Sequence, residues 1–89
     1  MGMVTVRYWA AAKQAAGVAE EKVSAGTLAE ALAAASSARG SAPAADAFAA
    51  VLARSSFLVD GAPVGSRPPG SVQLADAAVI EVLPPFAGG

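Results

Sequence analysis

Residues 3–9 read MVTVRYW, with valine or tyrosine at every second position from Val4 to Tyr8. This alternation is typical of a β-strand that is buried on one side, because successive side chains point to opposite faces of a sheet. The strand would present two sets of side chains: Val4, Val6 and Tyr8 towards a core, and Met3, Thr5, Arg7 and Trp9 away from it. This stretch decides the fold, since the helices must cover the first set.

A second alternating stretch, AVIEVL, occupies residues 78–83. We expect Ile80 and Val82 to extend the core face of the first strand. Glu81 would then point to the opposite, open face, where we expect it to pair with Arg7. Such an exposed cross-strand pair is worth under about 1 kcal/mol.

Trp9 and Leu83 are large apolar residues on that predicted open face, and Phe86 follows shortly afterwards. Single exposed apolar side chains are common and by themselves mean little. A cluster of this kind favours a partner-binding surface, because aromatic residues are enriched where proteins bind one another.

The segments between the two strands carry helix, strand and turn signals. Thr27 and Glu30 form a capping-box pattern at the start of a helix over 27–38. The other predicted elements are a loop or short helical turn ending at Gly17, a strand at 18–24, a second, shorter helix at 41–55, and a strand at 57–61 that enters an Asp60-Gly61 turn before a brief return.

This order of elements is typical of an α+β domain with its helices on one face of a sheet. The ubiquitin-like β-grasp fold has the same order, with its first strand central and parallel to its last, although other small α+β arrangements would fit. We expect a mixed sheet with one main helix packed across it and a second short helix. The domain would span residues 1–83 and leave 84–89 as a flexible C-terminal Gly-Gly tail.

Composition excludes several classes of function. The 89 residues carry a formal net charge of −1 and show no basic stripe of the kind that binds nucleic acid. Without cysteine or histidine, the chain has no disulfide, thiolate nucleophile, usual zinc ligand or histidine acid or base. Neither a membrane span nor a secretory signal is predicted. We expect one soluble, cytoplasmic domain that binds no metal.

The last residues, LPPFAGG at 83–89, have an unusual sequence. Pro84 and Pro85 restrict the backbone to extended conformations, and six extended residues reach about 20 Å at about 3.3 Å each. Gly88 and Gly89 lack a Cβ and therefore fit a channel too narrow for other residues. The ionised terminal carboxylate is a serviceable nucleophile, and attack on the α-phosphate of ATP would give an acyl-adenylate.

The chain resembles the MoaD/ThiS family of ubiquitin-like sulfur carriers, and most of all its molybdopterin-type members. The stretches that carry the resemblance are MVTVRYWAAAKQAAG, the TLAEAL helix start, FLVDG and the closing VIEVLPPFAGG. It covers essentially the whole chain, and the Pro-Pro-x-x-Gly-Gly tail is its specific part. One departure is the family's frequent Asp-Gly-Asp turn, here Asp76-Ala77-Ala78, where a positive φ at Ala77 would cost roughly 1 kcal/mol.

The resemblance implies that an E1-like activating enzyme uses ATP to adenylate Gly89, which is then converted to a thiocarboxylate. The tail, with Gly88, would enter the large, MoaE-like subunit of molybdopterin synthase and give its sulfur to a cyclic pterin precursor in molybdenum cofactor biosynthesis. The chain would be the small subunit, with no catalytic side chain and no bound cofactor of its own. The expected partner-binding residues are Arg7, Trp9, Leu83, Pro84, Pro85 and Phe86.

Two other functions fit the same residues. One is a related sulfur carrier that serves cysteine or thiamine synthesis or tRNA thiolation. The other is a β-grasp interaction module with an inert tail, for which removal of Gly88 and Gly89 would leave activity intact. An enzyme acting alone fits worst, because the usual nucleophiles are missing from the sequence.

Overall fold

The computed structural model describes residues 2–85, and that part of the chain forms a sheet with helices on one face. The strands are β1 (Gly2–Tyr8), β2 (Glu20–Ala25), β3 (Ser56–Val59), β4 (Ala62–Pro63) and β5 (Val79–Leu83). The helices are α1 (Ala10–Ala16), α2 (Leu28–Ala38) and α3 (Ala44–Arg54), with a 3-10 turn at Pro69–Ser71.

The strands lie in the order β2-β1-β5-β3-β4, so the first and last strands are neighbours near the centre. β1 runs parallel to β5 and antiparallel to β2, and β3 runs antiparallel to both β5 and β4. The sheet is therefore mixed, with β1 in its interior between β2 and β5 and parallel to the last strand. This is the arrangement predicted from the order of elements in the sequence.

The core lies between the sheet and the helices, and β1 supplies much of it. Val4, Val6 and Tyr8 are at most 2% exposed, which confirms that these three residues form the core face of the first strand. Ile80 and Val82 are completely buried beside them on β5. From the other side, α2 contributes Leu28, Ala31 and Ala35, and α3 contributes Phe48.

Helix α2 begins where the capping box predicted. The Thr27 side chain accepts a hydrogen bond from the Glu30 N–H at 3.2 Å, and the Glu30 carboxylate accepts one from the Thr27 N–H at 3.1 Å. These bonds satisfy amide donors that a helix start leaves without partners. The prediction of a shorter second helix was wrong, because α3 has 11 residues, as α2 does.

A partly buried polar cluster joins the strands to the helices on the core side of the sheet. The Tyr8 hydroxyl donates a hydrogen bond to Glu21, and Arg39 Nη2 lies 2.6 Å from the other oxygen of that carboxylate. The Arg39 guanidinium also lies over the Phe48 ring, 5.2 Å from its centroid. Burial, with a smaller contribution from Glu21, raises the pKa of Tyr8 well above its ordinary value.

The turn before β5 holds Ala77 in the left-handed region, with a φ of 66°. Its N–H donates a hydrogen bond to the carbonyl of Met3 at 2.9 Å, which ties the turn to β1. An L-residue with a Cβ pays roughly 1 kcal/mol or more in this region, where glycine pays little. The alanine in the Asp-Ala-Ala sequence is therefore a strained position.

Candidate docking face

Within the described residues, no helix covers the second side of the sheet. Side chains of paired residues on neighbouring strands lie beside one another on this side and form rows across the sheet. One row crosses all five strands and contains Glu20, Arg7, Glu81, Leu58 and Pro63. A second row lies at the C-terminal end of β5, where Leu83 pairs with Ser56 of β3. Trp9, the residue after β1, lies on the other side of Leu83. We call these two rows the docking face.

Trp9 is fixed in place by its backbone as well as by its side chain. Its N–H donates to the carbonyl of Val82 at 3.3 Å, and its carbonyl accepts from the N–H of Ala12 at 3.0 Å, so it joins the sheet to the first turn of α1. Its indole Nε1 donates to Glu81 Oε1 at 3.1 Å across the docking face. Trp9 is nevertheless 46% exposed, so an aromatic surface held by these hydrogen bonds faces outwards.

The expected pair between Arg7 and Glu81 was wrong. The two residues are register partners on β1 and β5, yet Arg7 Nε lies 3.2 Å from Glu20 Oε1 on the edge strand. Glu81 instead accepts the indole N–H of Trp9. The Arg7 and Glu20 side chains are 40% and 51% exposed, so water screens their pair and its contribution to stability is small.

Leu83, the last residue of β5, and Pro84 are half-buried, and Pro85 is exposed. Leu83 lies on the docking face beside Trp9, where the alternation of β5 predicted it. Phe86, Gly88 and Gly89 lie outside the described residues. The roles of all these residues in binding a partner stay predictions.

Leu58 is an apolar residue of the docking face that was not predicted. It is half-buried, pairs with Glu81 on one side and Pro63 on the other, and borders a groove of about 350 Å³ at the β3–β4 edge. The sequence held a usable signal, because Phe57 and Val59 pack against the core and the residue between them in the strand must face the other way. With Leu58, apolar side chains flank Glu81 on the β3 side as well as on the Trp9 side.

The composition of the docking face is that of a binding surface. Within residues 2–85, no three acidic side chains come together in a way that could hold a metal ion. No helix in the same residues is long and apolar enough to cross a membrane. The docking face thus combines a fixed tryptophan, leucines and one central carboxylate, a composition suited to protein recognition.

Comparison with known proteins gives matches among solved structures, whereas no family model and no curated protein matches the chain. Small archaeal modifier protein 1 from Methanosarcina acetivorans superposes with a TM-score of 0.79 at 21% identity, over 100% of this chain and 98% of that one. The fold is the ubiquitin-like β-grasp. The expectation drawn from the order of strands and helices is therefore confirmed.

Two further β-grasp structures extend the comparison. A putative molybdopterin converting factor subunit 1 from Pyrococcus furiosus gives a TM-score of 0.73 at 22% identity, over 97% of this chain and 100% of that one. A chain of the complex of subunits 1 and 2 of the molybdopterin-converting factor from Helicobacter pylori gives 0.66 at 22%, over 98% and 99%. At these identities the likeness establishes the fold and leaves function to be argued separately.

Proposed function

We propose that this protein is a sulfur carrier of the molybdopterin-converting type, activated at the carboxylate of Gly89. The observation that carries the proposal is the full-length likeness to molybdopterin-converting factor subunits, combined with a Pro-Pro-x-x-Gly-Gly sequence directly after β5. The resemblance noted in the sequence and the likeness of the fold both support this proposal.

The proposed chemistry takes place at the end of the chain and uses a partner's active site. The carboxylate of Gly89 attacks the α-phosphate of ATP, pyrophosphate leaves, and an acyl-adenylate forms on an E1-like enzyme. Hydrosulfide then attacks the acyl carbon and displaces AMP, so that the carboxylate becomes a thiocarboxylate. The thiocarboxylate sulfur then bonds to a carbon of a pterin precursor and displaces an oxygen substituent, and water cleaves the acyl–sulfur bond to restore the carboxylate.

The domain contributes recognition and delivery. Trp9, Leu58 and Leu83 provide a rigid apolar surface beside the point where the tail leaves β5. Pro84 and Pro85 have a restricted backbone, which lowers the entropy lost when a partner orders this segment. The proposed partners are the activating enzyme and a large subunit of the kind that accompanies subunit 1 in the Helicobacter pylori complex. We place these steps in the cytoplasm.

A second function uses the same activated carboxylate with a different nucleophile. The likeness to small archaeal modifier protein 1 favours it, since a lysine amine attacking the acyl-adenylate would give an amide link to another protein. The two functions differ only in what opens the adenylate. They can therefore be separated by the products found on Gly89.

Intact-protein mass spectrometry of the chain recovered from its own cells tests the proposal. We expect a fraction with the mass gain of one oxygen-to-sulfur exchange, located at Gly89 by fragmentation. A form that ends at Ala87 serves as the control and should fold normally but acquire no sulfur. Cross-links to lysines in place of sulfur would favour the modifier function. If the full chain stays unmodified after incubation with ATP, a sulfur source and native extract, the proposal is wrong.

A further inference from the structure

Glu81 lies at the centre of the docking face. It is on β5, with Arg7 of β1 on one side and Leu58 of β3 on the other, and it is half-buried. Its Oε1 atom accepts the indole N–H of Trp9 at 3.1 Å. A carboxylate at such a position must lose much of its hydration when another protein covers the face.

Arg7, the register partner of Glu81 on β1, forms no ion pair with this carboxylate. Arg7 is directed to Glu20 at 3.2 Å, and among residues 2–85 no lysine or arginine nitrogen lies within ion-pairing distance of Glu81. The indole N–H satisfies one oxygen, and the second oxygen retains its capacity to accept hydrogen bonds. Burying it without a partner would weaken binding strongly, because an uncompensated charge is costly at low dielectric.

We infer that Glu81 determines which partner the docking face accepts, by requiring a lysine or arginine from the partner's surface. The fitting surface is an apolar patch with one cation at its centre, which pairs with the free oxygen of Glu81 while apolar groups cover Trp9, Leu58 and Leu83. An apolar surface without that cation would leave a buried, unpaired carboxylate. The carboxylate thus acts as a selection against wrong partners as well as an attraction to the right one.

This inference rests on the proposed function, because the partner used to test it is the large subunit. A Glu81→Gln substitution separates the charge from the shape, since the amide oxygen of glutamine can still accept the indole hydrogen bond and hold Trp9 in place. Asp46→Asn is the matched control: it removes one negative charge from the exposed surface of α3. Thermal unfolding of both variants should resemble that of the natural sequence.

Binding would be measured by calorimetric titration of each variant with the subunit 2 homologue from the same organism, at low and moderate salt. We expect Glu81→Gln to raise Kd by about tenfold or more and to reduce its dependence on salt, because a charge pair at the centre of an interface is lost. Asp46→Asn should bind like the natural sequence.

Other results would overturn the inference. Equal or tighter binding by Glu81→Gln would mean that no cation of the partner meets this carboxylate. If the natural sequence does not bind the subunit 2 homologue, then the docking face is not a binding site for this partner. In either case the sulfur-carrier proposal is decided independently, since the oxygen-to-sulfur exchange at Gly89 is read by mass and needs no large subunit.

Discussion

The ion pair between Arg39 and Glu21 should stabilise the fold far more than the pair between Arg7 and Glu20. The Arg39 and Glu21 side chains are only 7% and 19% exposed and lie 2.6 Å apart. Removing one member of a buried pair leaves the other charge without compensation and typically costs about 3–5 kcal/mol. We therefore expect Arg39→Met, which keeps an unbranched chain of similar length, to lower the free energy of unfolding by about 3 kcal/mol.

The lower end of that range applies for two structural reasons. Glu21 retains some contact with water, and it keeps the hydrogen bond from the Tyr8 hydroxyl when Arg39 is replaced. In the opposite direction, the variant loses the contact between the guanidinium and the Phe48 ring, which increases the loss of stability. A domain of this size has a free energy of unfolding on the order of 4–13 kcal/mol. The loss is therefore large enough to lower Tm by more than about 10 °C.

Urea titration followed by far-UV circular dichroism measures this loss. The matched control is Arg7→Met, whose pair is 40% and 51% exposed and should contribute under about 1 kcal/mol. The double variant Arg39→Met with Glu21→Gln should recover part of the loss, because it no longer buries an uncompensated carboxylate. If Arg39→Met is no less stable than Arg7→Met, then the reasoning about burial of this pair is wrong.

Three further results are expected. Ala77→Gly should raise the free energy of unfolding by about 0.5–1 kcal/mol, because it relieves a positive φ, whereas the nearby control Ala75→Gly should lower it; thermal unfolding distinguishes them. Folding raises the pKa of Tyr8, so the protonated tyrosine contributes fully to the free energy of unfolding below pH about 10, where the unfolded tyrosine is also protonated. Above that pH the free energy of unfolding should fall by up to about 1.4 kcal/mol per pH unit. Since Tyr8 is the one tyrosine in the chain, its phenolate absorbance should rise only as the protein unfolds, and Tyr8→Phe should remove this loss of stability. Trp9→Ala should weaken binding of the large subunit by about 2 kcal/mol or more with little change in Tm, and a large loss of stability would mean that Trp9 serves the core.

The sequence predicted what local patterns control. The alternation from Val4 to Tyr8 identified the buried face of β1, and Thr27 with Glu30 located the start of α2, because both signals depend on residues close together in the chain. The same alternation correctly placed Trp9 on the open face.

Contacts that depend on register and helix placement could not be read in this way. Arg7 pairs with Glu20 because of the register between β1 and β2. These strands are connected by α1 and not by a tight turn, so no turn sequence fixes their register. Arg39 follows the end of α2 and reaches back 18 residues to Glu21, so the bond depends on how the helix lies across the sheet. Leu58 was missed because β3 is short and its faces were not assigned from the sequence.

The parallel pairing of β1 with β5 has a consequence for how this protein is made. Thr5 lies opposite Val79, so the centre of the sheet joins segments from the two ends of the domain, and contacts of such long separation slow folding. During synthesis, β1 leaves the ribosome well before its central neighbour exists. Trp9 and Leu83 therefore come together only on a chain whose last strand has been translated and inserted. A partner that recognises both residues would select finished molecules and ignore incomplete ones.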